Sequence, residues 1–390
     1  MIAIAGKNNI AIYALEIFTK YYGHSEIIAI PNKTDNGIDS WQKSFVKRAL
    51  ELNVELSPLG NVDPRDLDVL ISLEYDSIIK NEFLDIDKIY NIHFSNLPKY
   101  KGMYTSIFPI LFNENCGGVT LHRVDSGIDT GNILDQTIFN IKKTDRSQDL
   151  YAKYIRESQK LLSHNFNNII NNNFNEIVQK KEESSYFSKD SIDFINLKIN
   201  LNATAWEVQR QIYAYSFRVY QLPKVFNKKI VEVDILDEKS NKKYGTILRE
   251  SDFYFDIATI DYDIRLYFDN IDRNLENIKF CKKNEIENLI KGMCGVHDRN
   301  GKGISPILIA TLSGRISHIE KLLEMNANIN DIDYCGRSVL MYAAYLCDKT
   351  KNYDVLKFVL DQGAEISHQD FYGKSVIEYL GKNNMKYLGI

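Results

Sequence analysis

The sequence predicts an α/β fold in three parts: a front domain built on a mostly parallel sheet, a small α+β middle domain and a C-terminal all-α array. Three observations predict it. Short apolar runs alternate with helical patterns over the first 140 residues, runs rich in Val, Ile, Tyr and Phe follow residue 186, and the last hundred residues contain an internal repeat. The predicted domains are residues 1–185, 186–280 and 281–390.

Length and composition predict folded domains. The chain has 390 residues, of which 44% are hydrophobic and 26% are charged, a mix typical of globular proteins rather than of disordered ones. It carries 48 basic and 52 acidic side chains, so its formal net charge is −4. That balance argues against a basic nucleic-acid clamp, and we expect no nucleic-acid partner.

Cysteine usage and the N-terminus predict the compartment. The five cysteines are scattered and form no Cys-x-x-Cys pair, so neither a disulfide framework nor a zinc site is indicated, and a reducing compartment is expected. The first residues lack a charged leader followed by a signal-length apolar run, and no segment has about 18 uninterrupted apolar residues. We therefore expect a cytoplasmic protein with no membrane contact and no bound metal.

The front domain begins with a strand that turns directly into a helix. Strands are predicted at residues 2–5, 27–30, 69–73 and 89–94. After the first of them, Asn8 and Asn9 open an amphipathic helix whose N-terminus can face a ligand. Gly6 stands alone, so the glycine-rich fingerprint of dinucleotide folds is missing, and neither NAD nor FAD is expected. A long helix is predicted to follow residue 144.

The middle domain is predicted to be a helix followed by β-hairpins. Apolar spacing indicates a helix over residues 203–215, and the runs 229–236 and 253–268 have the composition of strands. Turn-forming residues at 237–243 and 269–273 end these two runs.

The last hundred residues repeat one pattern three times. Each copy has an Asp-x-x-Gly turn and then a serine that precedes an apolar helix; the serines are Ser305, Ser338 and Ser375. The first two serines lie 33 residues apart and the next two 37 residues apart. These motifs resemble ankyrin repeats, in which paired helices stack on one another. Such an array is a protein-binding surface, a second small-molecule site or a structural extension, and the sequence leaves these three open.

Asn91, His93 and Asp129 form the candidate catalytic set. Residues 91 and 93 are two apart on a predicted strand, so both side chains emerge on one face at the carboxyl end of the sheet, where such folds place ligands. An amide that donates hydrogen bonds would then meet an imidazole that titrates near neutrality. Asp129 lies in a glycine-rich loop and could orient that imidazole. The alternative is that His93 only caps or packs the strand end.

Two longer segments carry a family resemblance. The first, residues 91–102, contains Asn-x-His followed by Ser-x-Leu-Pro and a glycine, and the second, residues 125–131, reads Asp-Ser-Gly-Ile-Asp-Thr-Gly. Both resemble the signatures of the formyltransferases that use N10-formyltetrahydrofolate, and the resemblance covers roughly the first 220 residues. It implies a formyltransferase-type, Rossmann-like front domain in which the candidate set is catalytic. Asn96 departs from the pattern, since many relatives carry leucine there.

The chemistry that the resemblance implies is attack by a neutral amine on the formyl carbon, through a tetrahedral oxyanion. Asn91 and a protonated His93 would donate hydrogen bonds to that oxyanion. His93, or a water held by Asp129, would take the proton of the amine.

The resemblance also places the folate cosubstrate beside two short segments. The pterin site of the family corresponds here to Tyr75 and Ile78, after a predicted strand, and to Asp125 and Asp129 in the glycine-rich loop. His122, just before that loop, matches a position often occupied by histidine in the family. We expect it to support the site rather than to act on the substrate.

The expected substrate is a dTDP-linked amino sugar. A net acidic chain without a basic run in its middle domain disfavours a transfer-RNA substrate, and the appended domains disfavour the short enzymes that act on glycinamide ribonucleotide. Residues 213–223 resemble the matching segment of the sugar N-formyltransferases. The resemblance implies that Tyr220 stacks on the thymine base and that Asn8, Asn9 and Lys80 lie near the sugar or the diphosphate. Tyr220 could equally be a core residue, and Lys80 a solvated helix residue.

The ankyrin array suggests which amino sugar is the substrate. Within the sugar branch, it resembles the arrangement of enzymes that formylate dTDP-3-amino-3,6-dideoxy-D-glucose for bacterial O-antigen and lipopolysaccharide biosynthesis. A 4-amino dTDP-sugar is the alternative substrate. An alternative of another class is a binding module, in which the array recruits a partner and the front domain holds folate or a nucleotide without catalysis. The resemblance also implies a homodimer, with its contact after residue 186.

Overall fold

The computed structural model describes residues 1–79, 83, 88–370, 373–381 and 388. They form two compact units, the first made of residues 1–197 with 213–217 and the second of residues 198–212 with 218–390. The division into three domains stays a prediction. Within the described part of the chain, no helix is both long enough and apolar enough to cross a membrane.

The first unit alternates strands and helices. In chain order its elements are β1 (Ile2–Gly6), α1 (Asn8–Tyr22), β2 (Ile27–Pro31), α2 (Phe45–Glu51), β3 (Glu55–Leu56), β4 (Val69–Leu73), β5 (Ile89–His93), β6 (Lys101–Gly102), α3 (Phe108–Leu111), β7 (Cys116–Arg123), β8 (Ile133–Asn140), α4 (Ser147–Asn171) and β9 (Tyr186–Phe187). Among the described residues, seven strands form one sheet in the order β3-β2-β1-β4-β5-β7-β8, while β6 pairs with β9.

The sheet is mostly parallel, as predicted. Four pairs of strands are parallel: β1 with β2, β1 with β4, β2 with β3, and β4 with β5. At one edge, β7 pairs antiparallel with both β5 and β8. The antiparallel edge is a feature that the local alternation of apolar and helical segments does not reveal, because strand direction depends on how the chain returns to the sheet.

Burial explains why the central strands form. Every residue of β1 and β4 is buried, as expected for strands with both faces covered. The helices α1 and α4 contact each other, and the rings of Phe18 and Phe166 lie 4.8 Å apart. At the start of α4, Asp149 accepts a hydrogen bond from the backbone N–H of Arg146 (2.9 Å). This packing fixes the carboxyl ends of β4 and β5, where the candidate site lies.

The second unit combines an antiparallel sheet with stacked helices. In chain order its elements are α5 (Ala205–Ala214, whose last two residues belong to the first unit), β10 (Lys224–Val225), β11 (Lys228–Ile235), β12 (Ile247–Glu250), β13 (Tyr254–Ile257), β14 (Ile264–Phe268), α6 (Ile271–Ile278), α7 (Ile286–Lys291), α8 (Pro306–Leu312), α9 (Ile316–Glu324), α10 (Val339–Thr350), α11 (Asp354–Asp361) and α12 (Val376–Leu380). The sheet order is β10-β11-β14-β13-β12, with antiparallel neighbours.

The predicted turn at residues 269–273 is wrong in part, because α6 begins at Ile271. Ile271, Leu275 and Ile278 are buried on one face of this helix and belong to the apolar core of the repeats. Their spacing of three and four residues is that of a helix. The polar residues between them are typical of a turn. The segment is nevertheless helical, because a helix buries these three apolar side chains on one face.

The Asp-x-x-Gly motif of the repeats forms a turn held by its own aspartate. The Asp333 carboxylate accepts hydrogen bonds from the backbone N–H groups of Cys335 (2.8 Å) and Arg337 (2.9 Å). Gly336 has a φ of 79°, in the left-handed region that favours glycine. Ser338 then provides the N-cap of α10. The repeated pattern is therefore a turn and a helix start, as in ankyrin repeats.

Replacing Gly6 by alanine tests how closely β1 approaches β4. A Cβ at this position would lie 2.1 Å from the carbonyl oxygen of Leu73 and 3.1 Å from the Cβ of Ala11, so the backbone would have to move. We expect Gly6→Ala to lower the free energy of unfolding by about 2 kcal/mol, measured by chemical denaturation followed by circular dichroism. Gly60→Ala is the control, since a Cβ there meets nothing within 4 Å. Equal effects of the two substitutions would contradict the close approach.

Candidate active site

β5 presents Asn91 and His93 at the carboxyl end of the parallel strands. Ser72 of β4 lies opposite Asn91 on one side, and His122 and Thr120 of β7 lie opposite Asn91 and His93 on the other. Side chains two apart on a strand share a face. His93 is buried and Asn91 is partly buried. The two residues therefore meet on one face of the sheet.

The loop between β7 and β8 is shaped to turn Asp129 toward this face. The Asp125 carboxylate accepts hydrogen bonds from the backbone N–H of Gly127 (3.1 Å) and the hydroxyl of Thr130 (2.6 Å). A Cβ on Gly127 would lie 2.1 Å from Thr130 Oγ1, and one on Gly131 would lie 2.0 Å from a backbone carbonyl oxygen of β7. Asp129 has a φ of 54°, in the left-handed region. Asp125 and the two glycines of the motif therefore build the loop that carries Asp129.

The Asp129 carboxylate joins the candidate residues. Its Oδ2 accepts a hydrogen bond from the backbone N–H of Gly102 (2.8 Å) and lies 3.5 Å from His93 Nδ1. Its Oδ1 lies 3.4 Å from Asn91 Nδ2 and 3.6 Å from His122 Nε2. Burial by itself would raise the pKa of Asp129, but the two imidazoles and the Gly102 N–H hold that pKa well below its usual range. An ionised carboxylate therefore lies at the centre of the site.

His93 has one ring nitrogen fixed by the backbone. Its Nε2 lies 2.8 Å from the carbonyl oxygen of Tyr100. Because a carbonyl oxygen only accepts, Nε2 carries the proton, and Nδ1 of the neutral ring turns a lone pair toward Asp129. Burial lowers the pKa of His93, and the charge of Asp129 offsets only part of this effect. Burial therefore disfavours the charged form of His93 in the resting site; the donor role toward the oxyanion that the family resemblance implies stays a prediction.

His122 holds the amide of Asn91. It is buried, and its Nδ1 lies 2.6 Å from the carbonyl oxygen of Arg123, to which it donates. In the neutral ring, Nε2 then accepts a hydrogen bond from Asn91 Nδ2 at 2.9 Å. This contact requires the NH₂ end of the Asn91 amide to face His122. The second N–H of that NH₂ group makes the 3.4 Å contact to Asp129.

Sequence reasoning missed two groups beside this set. Lys101 is buried; burial lowers its pKa, while the charge of Asp129 acts in the opposite direction. Glu74 directly follows β4. Its position after a predicted strand could have identified it as a candidate site residue. The hydroxyl of Tyr151, on α4, lies 2.7 Å from Glu74 Oε2, and no sequence pattern predicts that contact.

The residues predicted to bind substrate lie in different places. Asn8 is the first residue of α1, has a φ of 62° and lies with its Nδ2 3.4 Å from Glu74 Oε2. Asn9 follows in the same helical turn and is partly buried. Lys80 lies outside the described residues. Tyr220 belongs to the second unit, and 62% of its surface is exposed. Their roles stay predictions.

The residues predicted to bind folate also lie in different places. Asp129 contacts the catalytic pair and Asp125 holds its loop. Tyr75 packs against the core formed by β1, β2 and β4, and burial raises its pKa. Ile78 is exposed. In the part of the chain that the structure describes, no group of three or more His, Cys, Asp or Glu side chains is arranged to hold a metal ion.

Comparison with known proteins identifies the family. A model of the formyl transferase family matches residues 43–165, and a model of ankyrin repeats in three copies matches residues 278–370. The crystal structure of WlaRD, a sugar 3N-formyl transferase in the presence of dTDP and 5-N-formyl-THF, is 44% identical; the match covers 69% of this chain and 97% of that one, with a TM-score of 0.64. This chain belongs to the sugar N-formyltransferases.

The chain is also similar to a second solved N-formyltransferase and to curated proteins of other names. An N-formyltransferase from Helicobacter canadensis, in complex with folinic acid and dTDP-3-aminofucose, is 42% identical; the match covers 68% of this chain and 98% of that one, with a TM-score of 0.63. Methionyl-tRNA formyltransferase of Clostridium tetani is 28% identical over 275 residues, which are 67% of this chain and 88% of that protein. The bifunctional polymyxin resistance protein ArnA of Wigglesworthia glossinidia brevipalpis is 31% identical over 277 residues, and this chain covers 39% of its length. The predicted N-formyltransferase with ankyrin repeats is confirmed.

The protonation of His93 in this sugar N-formyltransferase can be measured directly. Burial should place the pKa of His93 below 6.5, the ordinary value, so that the ring is neutral at pH 7 and gains its proton only as the pH falls through the lowered pKa. Asp129→Asn should lower that pKa further, because the carboxylate charge stabilises the imidazolium. The check is an NMR titration of ¹⁵N-labelled histidine, with the exposed Asp190→Asn as the control. A rise of the His93 pKa in Asp129→Asn would contradict the assignment.

Proposed function

We propose that this protein transfers the formyl group of N10-formyltetrahydrofolate to the amino group of a dTDP-linked amino-dideoxy sugar, with dTDP-3-amino-3,6-dideoxy-D-glucose as the substrate. The formylated sugar would then serve O-antigen and lipopolysaccharide biosynthesis. One observation carries the chemistry: the Asp129 carboxylate lies within 3.6 Å of polar atoms of Asn91, His93 and His122. The similarity to WlaRD and to the Helicobacter canadensis enzyme supports the folate donor, the dTDP group and a 3-amino rather than a 4-amino sugar.

The geometry supports different catalytic roles for Asn91 and His93. The neutral amine attacks the formyl carbon, a C–N bond forms, and the electron pair of the carbonyl moves to its oxygen. The second N–H of Asn91, which makes only a 3.4 Å contact to Asp129, is available to donate to that oxyanion. The proton of the attacking amine passes to His93 Nδ1, and Asp129 stabilises the resulting imidazolium.

The second half of the reaction returns the proton. When the tetrahedral intermediate collapses, the carbonyl re-forms and the bond to N10 of tetrahydrofolate breaks. N10 then takes the proton from His93 Nδ1, which restores the neutral ring. His93 is thus neutral at rest and protonated only in the intermediate, which reconciles its burial with the donor role that the family resemblance implies.

Binding of the two substrates is proposed for the residues that the family resemblance implies. We propose that Asn8, Asn9, Lys80 and Tyr220 bind the dTDP-sugar, and that Tyr75, Ile78, Asp125 and Asp129 bind the folate. A homodimer is a further part of the proposal and rests on the family resemblance. A cytoplasmic location rests on the cysteine usage, and a protein partner or second small-molecule site rests on the ankyrin repeats.

The activity is tested by mass spectrometry of dTDP-3-amino-3,6-dideoxy-D-glucose incubated with the protein and N10-formyltetrahydrofolate. We expect a mass gain of one formyl group on this sugar. The galacto isomer, dTDP-3-aminofucose, and a 4-amino isomer are run alongside. A gain only on the galacto or the 4-amino sugar would keep the chemistry and replace the substrate. No gain on any of them would contradict the proposal and favour a binding module.

Substitutions at the catalytic pair test the roles. Asn91→Ala removes an oxyanion donor and should lower kcat by about 10²- to 10³-fold. His93→Asn removes the proton acceptor and should lower kcat by about 10²- to 10⁴-fold. The rates are measured with saturating sugar and folate. His164→Asn, an exposed histidine of α4, is the matched control and should keep the wild-type rate. A His93→Asn rate near that of the control would exclude His93 as the base.

A further inference from the structure

Glu74 lies one strand away from the catalytic pair. Ser72 of β4 is paired with Asn91 of β5, and Glu74 and His93 each follow two residues later. β4 ends at Leu73 and β5 at His93, so both residues lie where these neighbouring parallel strands end. A ligand bound across the ends of the two strands can therefore contact both.

Neutral side chains hold the Glu74 carboxylate. The hydroxyl of Tyr151 lies 2.7 Å from Oε2 and 2.9 Å from Oε1, and Asn8 Nδ2 lies 3.4 Å from Oε2. Gln42 Nε2 in turn donates to the Tyr151 hydroxyl at 3.1 Å. Among the described residues, no cation lies within ion-pair distance of Glu74. Burial raises the pKa of Glu74, while Tyr151, Lys7 and Asn8 act in the opposite direction. The carboxyl oxygens keep lone pairs that these contacts do not use, and those lone pairs are left for a further donor.

The backbone around Glu74 is held in an uncommon conformation. Glu74 has a φ of 56° and Asn8 one of 62°, both in the left-handed region that disfavours side chains other than glycine. Asn32, which is buried, donates to the carbonyl oxygen of Glu74 (3.0 Å) and accepts from the backbone N–H of Asp76 (3.3 Å). Strained residues that are held in this way concentrate at functional sites.

Aromatic rings line one side of this carboxylate. The ring of Tyr151 lies 5.9 Å from Trp41, 5.5 Å from Phe217 and 5.8 Å from Phe94, measured between ring centroids. Phe94 is the residue after His93. These rings pack against Tyr151 and hold in place the hydroxyl that contacts Glu74.

A polar cavity borders the same network. It has a volume of about 260 Å³, and both Asn8 and Gln42 line it, together with Lys7, Lys43 and Ser44. Gln42 is 7% exposed, and its Oε1 is buried without a hydrogen-bond partner among the described residues. A buried acceptor without a partner costs free energy, so this oxygen is suited to a donor supplied by a ligand.

We propose that Glu74 is a specificity-determining residue, which accepts a hydrogen bond from the sugar hydroxyl next to the reacting amine, while Tyr151 and Asn8 hold its carboxylate in place. This rests on the proposed function, since it assumes an amino sugar at the site. The reacting amine itself has to lie at His93 and Asn91, so the group that reaches the neighbouring strand is the substituent on the next ring carbon. Tyr151 and Asn8 act as positioning residues.

Glu74→Gln tests the proposal, because the amide keeps the size of the side chain and replaces one acceptor oxygen by an NH₂ donor. The sugar hydroxyl should then lose its hydrogen-bond acceptor, so we expect the KM for the dTDP-amino sugar to rise roughly 10- to 100-fold with a smaller change in kcat. Wild-type protein should show a similar penalty for the deoxy analogue that lacks the neighbouring hydroxyl, and Glu74→Gln should no longer distinguish the two sugars. The 2-deoxy and 4-deoxy analogues are both measured.

Equilibrium binding separates this inference from the proposed function. Calorimetry with dTDP alone and with the dTDP-amino sugar should show that Glu74→Gln weakens only the sugar-bearing ligand. Glu157→Gln, on the same helix as Tyr151 and paired with Arg156 and Lys160, is the matched control and should bind both ligands as the wild type does. Tyr151→Phe, which keeps the carboxylate but removes its clamp, should weaken sugar binding less than Glu74→Gln does.

Three results would overturn the assignment of Glu74. They are a wild-type KM in Glu74→Gln, an undiminished discrimination between the hydroxyl-bearing and deoxy sugars, and an equal loss of dTDP binding, which would indicate a structural role. If wild-type protein forms no formylated product, the proposed function fails. The calorimetric comparison of dTDP with the dTDP-amino sugar then still decides whether Glu74 binds the sugar.

Discussion

The candidate site depends on one buried carboxylate. Asp129 contacts Asn91 and His93 of β5, His122 of β7 and the backbone N–H of Gly102, so it connects three separate stretches of the first unit. The contacts that favour its charged form outweigh the burial that opposes it. The strict loop geometry of the Asp-x-Gly-x-Asp-Thr-Gly motif serves this constraint, because a displaced Asp129 would lose its contacts with all of these groups at once.

Backbone carbonyl groups decide what the two histidines can do. The carbonyl oxygen of Tyr100 takes the Nε2 proton of His93, and the carbonyl oxygen of Arg123 takes the Nδ1 proton of His122. The free ring nitrogen of His93 therefore faces Asp129, while that of His122 faces the Asn91 amide. Two chemically identical side chains thus have different partners, which is the basis of the different roles proposed for them.

A second network lies on the neighbouring strand and connects distant parts of the chain. Glu74 follows β4, Asn8 opens α1 and Tyr151 belongs to α4, and their polar atoms meet next to the aromatic rings around Tyr151. Both Glu74 and Asn8 occupy the left-handed region, so the surrounding contacts have to compensate for backbone strain. The first unit therefore places the candidate catalytic set and the Glu74 carboxyl group at the carboxyl ends of two neighbouring strands, β5 and β4.

The sequence by itself determined the local features. The apolar runs located β1, β2, β4 and β5, the spacing of Asn91 and His93 placed them on one face, and the Asp-x-x-Gly repeats marked the ankyrin turns. These features depend on residues a few positions apart, where the period of a strand or helix and the chemistry of a turn decide the outcome. The motif around Asp129 is of the same kind, since Asp125 and Gly127 form their loop contacts within it.

Only the tertiary structure decided the rest. The antiparallel pairing of β7 with β5 places His122 opposite Asn91, and the packing of α4 brings Tyr151 to Glu74 from 77 residues away. Burial then lowers the pKa of His93, and apolar packing turns a predicted turn at residue 271 into α6. Strand direction, long-range pairing and desolvation all depend on the assembled fold, so no local pattern of residues contains them.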